Sequence, residues 1–472
     1  MAHEAQRTIP DFPGVSESFN LVELPTRDVK LPLSPLQVTD KTINLKRTTS
    51  WTPSSIYAEA LRRQAGVVRA TVRDILRRVR ALAKLSQNGS INLTPVTAGS
   101  SFLAQVTVGG QSFEMVVDTG SSDPWLVAPD FVCGYGAQSD CGFGPPYEQS
   151  ATYIGPLQDQ NFNISYADGE RLTGTMGFEI FTIGGITVDR QEFAIAEYAE
   201  WTGDGISSGL VGFAYSSLTS AYPGSDPDND PGQMAFKYNT LFDNLVQTEG
   251  VPPVYSMAIA DEGGVMAFGG LPDVPYSPGF ASVPILPYGV NDSNGQYVYT
   301  YYTVPIDGYA YAASPNTQFN TYNLSDPPTN PRKINIVGDT EANGPYPAIV
   351  DSGSTLVMVA DYVASGVADL FDPPGTFDED NGLYVVECTA TAPVFGVSIA
   401  NKIFYANPAD LVIAVEEGLC ISGVQSNSGG LTILGDVWMK SVLCVFDIGA
   451  EMMRFAAREF YGLTLQTKRA NT

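Results

Sequence analysis

Two short stretches of this 472-residue chain repeat one another: "VVDTGSSDPW" at residues 116–125 and "IVDSGSTLVM" at residues 349–358. In each, an apolar pair is followed by Asp, a hydroxyl residue, Gly, Ser and a second hydroxyl residue. Asp118 and Asp351 hold equivalent places, and the likeness continues downstream. Leu210-Val211-Gly212 ends 94 residues after Asp118, and Ile433-Leu434-Gly435 ends 84 residues after Asp351. The same order therefore occurs twice: an apolar strand running into Asp-hydroxyl-Gly, then an apolar-apolar-Gly strand. A duplicated β unit is the economical account. Two lobes related in this way bring equivalent strand ends to their junction, where the two carboxylates can meet.

The rest of the chain narrows the chemistry. A single histidine, His3, lies near the N-terminus. A Ser–His–Asp triad, a Cys–His dyad and a His-ligated zinc site all need imidazole held in a folded core. Five cysteines include no C-x-x-C pair, so no metal or cofactor is expected. Carboxylates are left as the natural acid–base groups. Charged residues make up only 16%, against 44% hydrophobic, with 46 Gly and 33 Pro. From about residue 90 the runs are short and alternating ("SFLAQVTVGG", "QSFEMVVD", "FEIFTIGGITV"), broken by Gly, Asn, Asp and Pro. That texture predicts an all-β protein. Acidic or Pro-rich stretches at 223–233 and 323–333 are expected to be surface loops. No apolar run approaches the ~20 residues that span a bilayer.

Charge divides the chain in two. Residues 1–90 hold 14 Lys and Arg against 8 Asp and Glu, whereas the remainder holds 11 against 43. An acidic body repels phosphates, which argues against a nucleic-acid partner. Within the basic leader, residues 1–50 show no clear periodicity. Val68, Val72, Ile75, Val79 and Leu82 recur at helical spacing, beside a stripe of Arg69, Arg73, Arg77, Arg80 and Lys84. An amphipathic helix is predicted there. Three readings of it stay open: docked on the acidic body, solvated, or lying on a membrane surface.

The two Asp motifs, with "ISYADGERLTGTMG" (residues 164–177), "TLFDNLVQTEG", "VYSMAIADEGGVMAFGG" and "ILGDVWMKSVLCVFDIGAEMMRFA" in that order, resemble the pepsin-like aspartic endopeptidases, particularly fungal ones, over roughly residues 90–460. The resemblance implies a bilobal all-β fold with a cleft between duplicated lobes. It divides the chain into a propeptide at 1–88, a first lobe at 89–272 and a second at 273–472. It also implies an acid endopeptidase acting on protein or peptide substrates, made as a zymogen, secreted or vacuolar, and monomeric. Asp118 and Asp351 are its implied catalytic dyad. Thr119 and Ser352 are implied to cross-link the two loops, and Ser121 and Ser354 to fix the carboxylate planes. Gly120, Gly353 and Thr355 complete the motifs. Tyr166 matches the flap tyrosine, with Trp125 its partner and Asp168 and Gly169 beside it. Asp168 is implied to face the pocket for the residue preceding the cut bond and to admit lysine there.

By the same likeness Cys133 pairs with Cys141 and Cys388 with Cys420, leaving Cys444 as a buried small apolar residue. Five sequons, at Asn88, Asn92, Asn163, Asn291 and Asn323, fit a secretory route. The N-terminus lacks an apolar signal core, so a signal is expected to have been removed. The basic leader is expected to lie across the cleft at neutral pH, with Arg80 or Lys84 neutralising the dyad, and to be released in acid. The mature chain is then expected to start near residues 85–92. Pro124 and "WTGDGISSGLVGF" depart from the usual pattern near the primary pocket. The rival readings are a catalytically silent pepsin-like binding or inhibitor protein, and an acid glycosidase using the carboxylate pair. Retention of both Asp residues and the tyrosine argues against the first, and the Gly-flanked duplication against the second.

Overall fold

The computed structural model describes residues 36–47 and 101–458, apart from 167–168, 262, 288, 292–295, 314–334, 338–345, 380 and 417. Among the described residues strands dominate, with only short helices such as Leu241–Gln247 and Asp361–Ala368. The helix expected around residues 55–85, with Arg80 and Lys84, lies outside the described residues, as does Asp168.

Fourteen strands join in one sheet. Its central order is Gly263–Phe268, Thr42–Arg47, Phe102–Val108, Gln111–Asp118, Gly209–Gly212, Pro124–Cys133, Ile186–Glu200, Arg171–Ile183 and Gln160–Ser165. At the far end, Tyr255–Ala260 connects it to Val442–Asp447, Met452–Ala457 and Ala281–Pro284. Burial explains the sequence pattern. Gln111–Asp118 alternates at its start and is buried on both faces at Met115-Val116-Val117-Asp118. There it lies between two neighbouring strands, antiparallel to Phe102–Val108 and parallel to Gly209–Gly212. A strand covered on both sides and both faces needs a continuous apolar run.

The duplication is visible in the pairing. Gln111–Asp118 runs parallel to Gly209–Gly212, which is antiparallel to Pro124–Cys133, which in turn is parallel to Ile186–Glu200. In the second half Tyr346–Val350 runs parallel to Ile433–Leu434, which is antiparallel to Val357–Val359, itself parallel to Val424–Ser426. Both copies deliver an Asp at the end of the first strand. The apolar core is continuous across the two halves, and Trp125, Trp438, Tyr255 and Tyr302 are among its largest fully buried side chains.

One leader segment has an ordered place that the sequence reading did not foresee. Thr42–Arg47 is a strand inside the large sheet, pairing antiparallel with both Gly263–Phe268 and Phe102–Val108. Ile43 and Leu45 face the core while Asn44 and Lys46 are exposed. Six alternating residues are too few to stand out in a Pro-punctuated stretch, yet the register buries both apolar side chains. Buried Arg47 donates through Nη1 to Asp261 Oδ1 at 2.9 Å, and Lys440 Nζ reaches the same oxygen at 2.9 Å and also Asp410. The leader strand is thus ionically tied to Asp261 and, through it, to the buried pair of Lys440 and Asp410.

Candidate active site

The site begins with two tight loops. After Val117 and Val350 the chain leaves its strand and turns back under its own carboxylate. Gly120 N–H donates to Asp118 Oδ1 at 2.7 Å and Ser121 Oγ to Asp118 Oδ2 at 2.5 Å. Gly353 N–H donates to Asp351 Oδ1 at 2.8 Å and Ser354 Oγ to Asp351 Oδ2 at 2.5 Å. Each carboxyl is therefore held by a backbone donor and a hydroxyl at matching places in the motif. The glycines are required by proximity. A Cβ on Gly120 would sit 2.6 Å from Asp351 Oδ1, and one on Gly353 would collide with Asp118 Oδ1. Each loop's glycine presses against the other loop's carboxylate, so the two aspartates meet.

Below them the loops are stitched crosswise. Thr119 Oγ1 donates to Val350 O at 3.1 Å and accepts from Ser352 N–H at 2.9 Å. Ser352 Oγ donates to Val117 O at 2.9 Å and accepts from Thr119 N–H at 3.2 Å. Both side chains are fully buried. Thr355 is also buried, and its carbonyl accepts from Val437 N–H at 3.0 Å, joining the second loop to the Asp436–Met439 helix.

Burial, then the neighbouring charge of Asp351, push the Asp118 carboxyl up to about 7. Close carboxylates cannot both ionise cheaply, so one proton is retained by the pair over a broad acidic range.

Beside Asp118 is a hairpin, Gln160–Ser165 returning as Arg171–Ile183, whose Tyr166 feels the charge of that carboxyl. Gly169, with φ of +89°, is in its turn, and Tyr166 accepts from Gly169 N–H at 3.0 Å through its carbonyl. Tyr166 Oη accepts from Trp125 Nε1–H at 2.9 Å. Burial, with the charge of Asp118 next, raises the Tyr166 phenol well above its ordinary range, so it stays a neutral donor. The sequence reading missed Trp201. Its ring lies edge-on to Trp125 at 5.2 Å and to Tyr166 at 5.7 Å, and stacks on Phe143 at 6.0 Å. An isolated Trp in a stretch that departs from the usual pattern carried no signal by itself. Also missed was Asp123, fully buried five residues after Asp118. It reads as part of the motif, and only its surroundings set it apart.

Both expected disulfides are formed, Cys133–Cys141 and Cys388–Cys420, and Cys444 is a buried free thiol.

A sequence profile of the eukaryotic aspartyl protease family matches residues 101–458. The chain belongs to that family. It is 36% identical over 79% of its length to a protein of Aspergillus fumigatus named as a probable aspartic-type endopeptidase, covering 82% of that relative. It is 26% identical to aspergillopepsin-1 of Aspergillus oryzae, over 86% of this chain and 90% of the relative. Among solved structures, the aspartic proteinase from Irpex lacteus superposes with a TM-score of 0.53 at 16% identity, covering 77% of this chain and 95% of that one, a likeness of fold. Family and fold agree with the reading from sequence: a mostly β aspartyl protease, and hence a peptide hydrolase.

Proposed function

We propose that this aspartyl protease is an acid endopeptidase in which Asp118 and Asp351 share one proton and activate a water. The observation that carries the reading is the meeting of two mirrored loops, each carboxyl held by its own Gly N–H and Ser hydroxyl. The ionised member takes a proton from a water between the two carboxyls as the water oxygen bonds to the peptide carbonyl carbon. The neutral member donates to the carbonyl oxygen, giving a neutral tetrahedral diol. As the carbon–nitrogen bond breaks, a proton passes to the departing nitrogen, and the pair again holds one proton. No covalent intermediate is needed.

Tyr166, held by Trp125, is the flap residue that closes over substrate and excludes water. Gly169 gives the hairpin its turn, and Asp168 at its tip remains the candidate for admitting lysine before the cut bond. Thr119, Ser352 and Thr355 hold the loops in place. The halves at 89–272 and 273–472 act as the two walls of the cleft.

The leader at 1–88 acts as an intramolecular inhibitor in a secreted or vacuolar monomeric zymogen. Support comes from Thr42–Arg47, which is part of the sheet, with Arg47 bound to Asp261. Arg80 and Lys84 are the candidate latch, and acid weakens leader–body attraction by protonating carboxylates. Hydrolysis of a denatured protein at pH 3–5, blocked by a statine-type transition-state mimic and lost in both Asp118→Asn and Asp351→Asn, is the expected result. Full activity in either variant would overturn the assignment.

A further inference from the structure

Asp123 lies on the loop that carries Asp118, yet nothing in the proposed hydrolysis uses it. Its side chain is fully buried. Oδ1 accepts from Tyr238 Oη and from Ser220 N–H, at 2.5 and 2.9 Å. Oδ2 is buried without a hydrogen-bond partner.

Ser220 turns this into a connection. While its N–H donates to Asp123, its carbonyl accepts from Asn163 N–H at 3.1 Å, three residues before Tyr166. The next residues, Ala221–Pro223, pair with the first flap strand, Gln160 opposite Pro223, Asn161 opposite Tyr222 and Phe162 opposite Ala221. The other arm closes the same way: Phe236 N–H donates to Ala221 O at 2.7 Å, and Thr219 Oγ1 to Phe236 O at 3.0 Å, two residues before Tyr238. One carboxyl therefore joins the loop of the dyad to the strand on which the flap is built.

We propose that Asp123 is a positioning residue for the flap: its neutral carboxyl clamps segment 219–238 alongside the flap strand, and loss of its proton opens the clamp. The reason is the unpartnered Oδ2. As part of a neutral acid it costs far less than as a carboxylate oxygen, which is a buried charge with no hydrogen bond of its own among the described residues and only the Ser220 hydroxyl near the carboxyl to offset it. Ionisation then favours any arrangement that lets water reach it. No cation faces it. The titratable groups around it are Tyr238 on its own contact, Glu192 on the neighbouring strand, Tyr166 on the flap and Tyr222 on the paired strand. Burial raises the carboxyl to about 6, Tyr238 and Ser220 pull it back, and Glu192 adds to the rise. The clamp is closed where an acid protease works and opens toward neutrality.

This rests on the proteolytic reading but is tested apart from it. Hydrogen exchange of flap-strand peptides covering 160–165 is measured from pH 4.5 to 7.5 on the full processed chain and corrected for intrinsic exchange, alongside KM for a peptide substrate. In the wild type, corrected exchange and KM rise together with a midpoint near 6, exchange by about tenfold for each pH unit past it until the clamp is fully open. Asp123→Asn keeps the Oδ1 acceptor and never ionises, so both profiles flatten. Tyr238→Phe removes the stronger stabiliser of the carboxylate, so the midpoint moves to higher pH. A flat wild-type profile, an unflattened Asp123→Asn profile or an unmoved Tyr238→Phe midpoint would each overturn the clamp. Loss of hydrolysis at pH 4 in Asp118→Asn tests the dyad separately, whichever way these profiles fall.

Discussion

Replacing Thr119 by Val removes one hydroxyl and almost no volume, which makes it a clean test of the crosswise stitching. The hydroxyl hydrogen-bonds Val350 O and Ser352 N–H, both on the opposite loop. In Thr119→Val a buried carbonyl and a buried amide lose their partners together. Each orphaned group costs about 1–3 kcal/mol, so a loss of roughly 2–6 kcal/mol is expected. Ser352→Ala orphans a different pair, Val117 O and Thr119 N–H, with a comparable cost. The double variant should lose less than the sum, because loops released by the first change no longer hold the second pair in place. Thr119→Ser retains the hydroxyl and should remain within about 1 kcal/mol of the wild type. Urea unfolding at pH 5 gives the stabilities. The kinetic counterpart is kcat on a peptide, because a displacement near 1 Å between reacting groups costs about 100-fold. Stability within 0.5 kcal/mol of wild type in Thr119→Val, on the order of a surface substitution, would refute the stitching.

Stability should also fall as pH rises. The Asp118 carboxyl, through the proton it shares with Asp351, stays uncharged in the fold to about 7 and Asp123 to about 6, against 3.8 ordinarily. The unfolded chain releases its protons first, so the stabilisation is full below about 3.8 and lost as pH rises through 6–7. The Asp123 share is about 3 kcal/mol, read from urea midpoints at pH 4 and 7. Tyr166→Phe leaves Trp125 Nε1–H without its acceptor, and kcat/KM should drop about tenfold in steady-state assays at pH 4. The Asn163 sequon should remain unmodified, because its side-chain amide donates to Pro227 O at 3.2 Å and Asp230 Oδ2 at 3.0 Å; peptide mass mapping of secreted protein reads this directly. Replacing Cys388 and Cys420 by Ser opens a loop of sequence separation 32 and should cost about 3–4 kcal/mol, measured by urea unfolding.

The parts of the site that sequence made legible are those where chemistry repeats. Asp118 and Asp351 stood out because an improbable string occurred twice, and both the loop geometry and the crosswise bonds follow from that string. Asp123 was equally present but carried no repeat, since the matching place after Asp351 is Leu356. Its significance comes from Ser220 and Tyr238, which lie 97 and 115 residues away. Long-range partners of that kind leave no local period. The strand Thr42–Arg47 was missed for a related reason. Its alternation is six residues long, and what makes it a strand is a slot between two others, one of them more than 200 residues downstream.

The mirrored hydrogen bonds raise a question of symmetry. Each carboxyl receives one Gly N–H and one Ser hydroxyl at nearly equal distances, so the loops alone do not distinguish the two aspartates. What breaks the equality is the covering. The hairpin grows from the first half, and its Tyr166, held by Trp125, lies within reach of the charge of Asp118, which is the more deeply buried of the pair. The charge of Asp118 reaches the Tyr166 phenol and that of Asp123 reaches it as well. A duplicated scaffold thus supplies two equal carboxyls, and an element elaborated on one copy makes their surroundings unequal. The clamp at Asp123 is built on that same copy, so protonation at the dyad and protonation alongside the flap strand bear on one hairpin. On the proposed reading acid acts twice on the site, setting the shared proton and holding the hairpin in place.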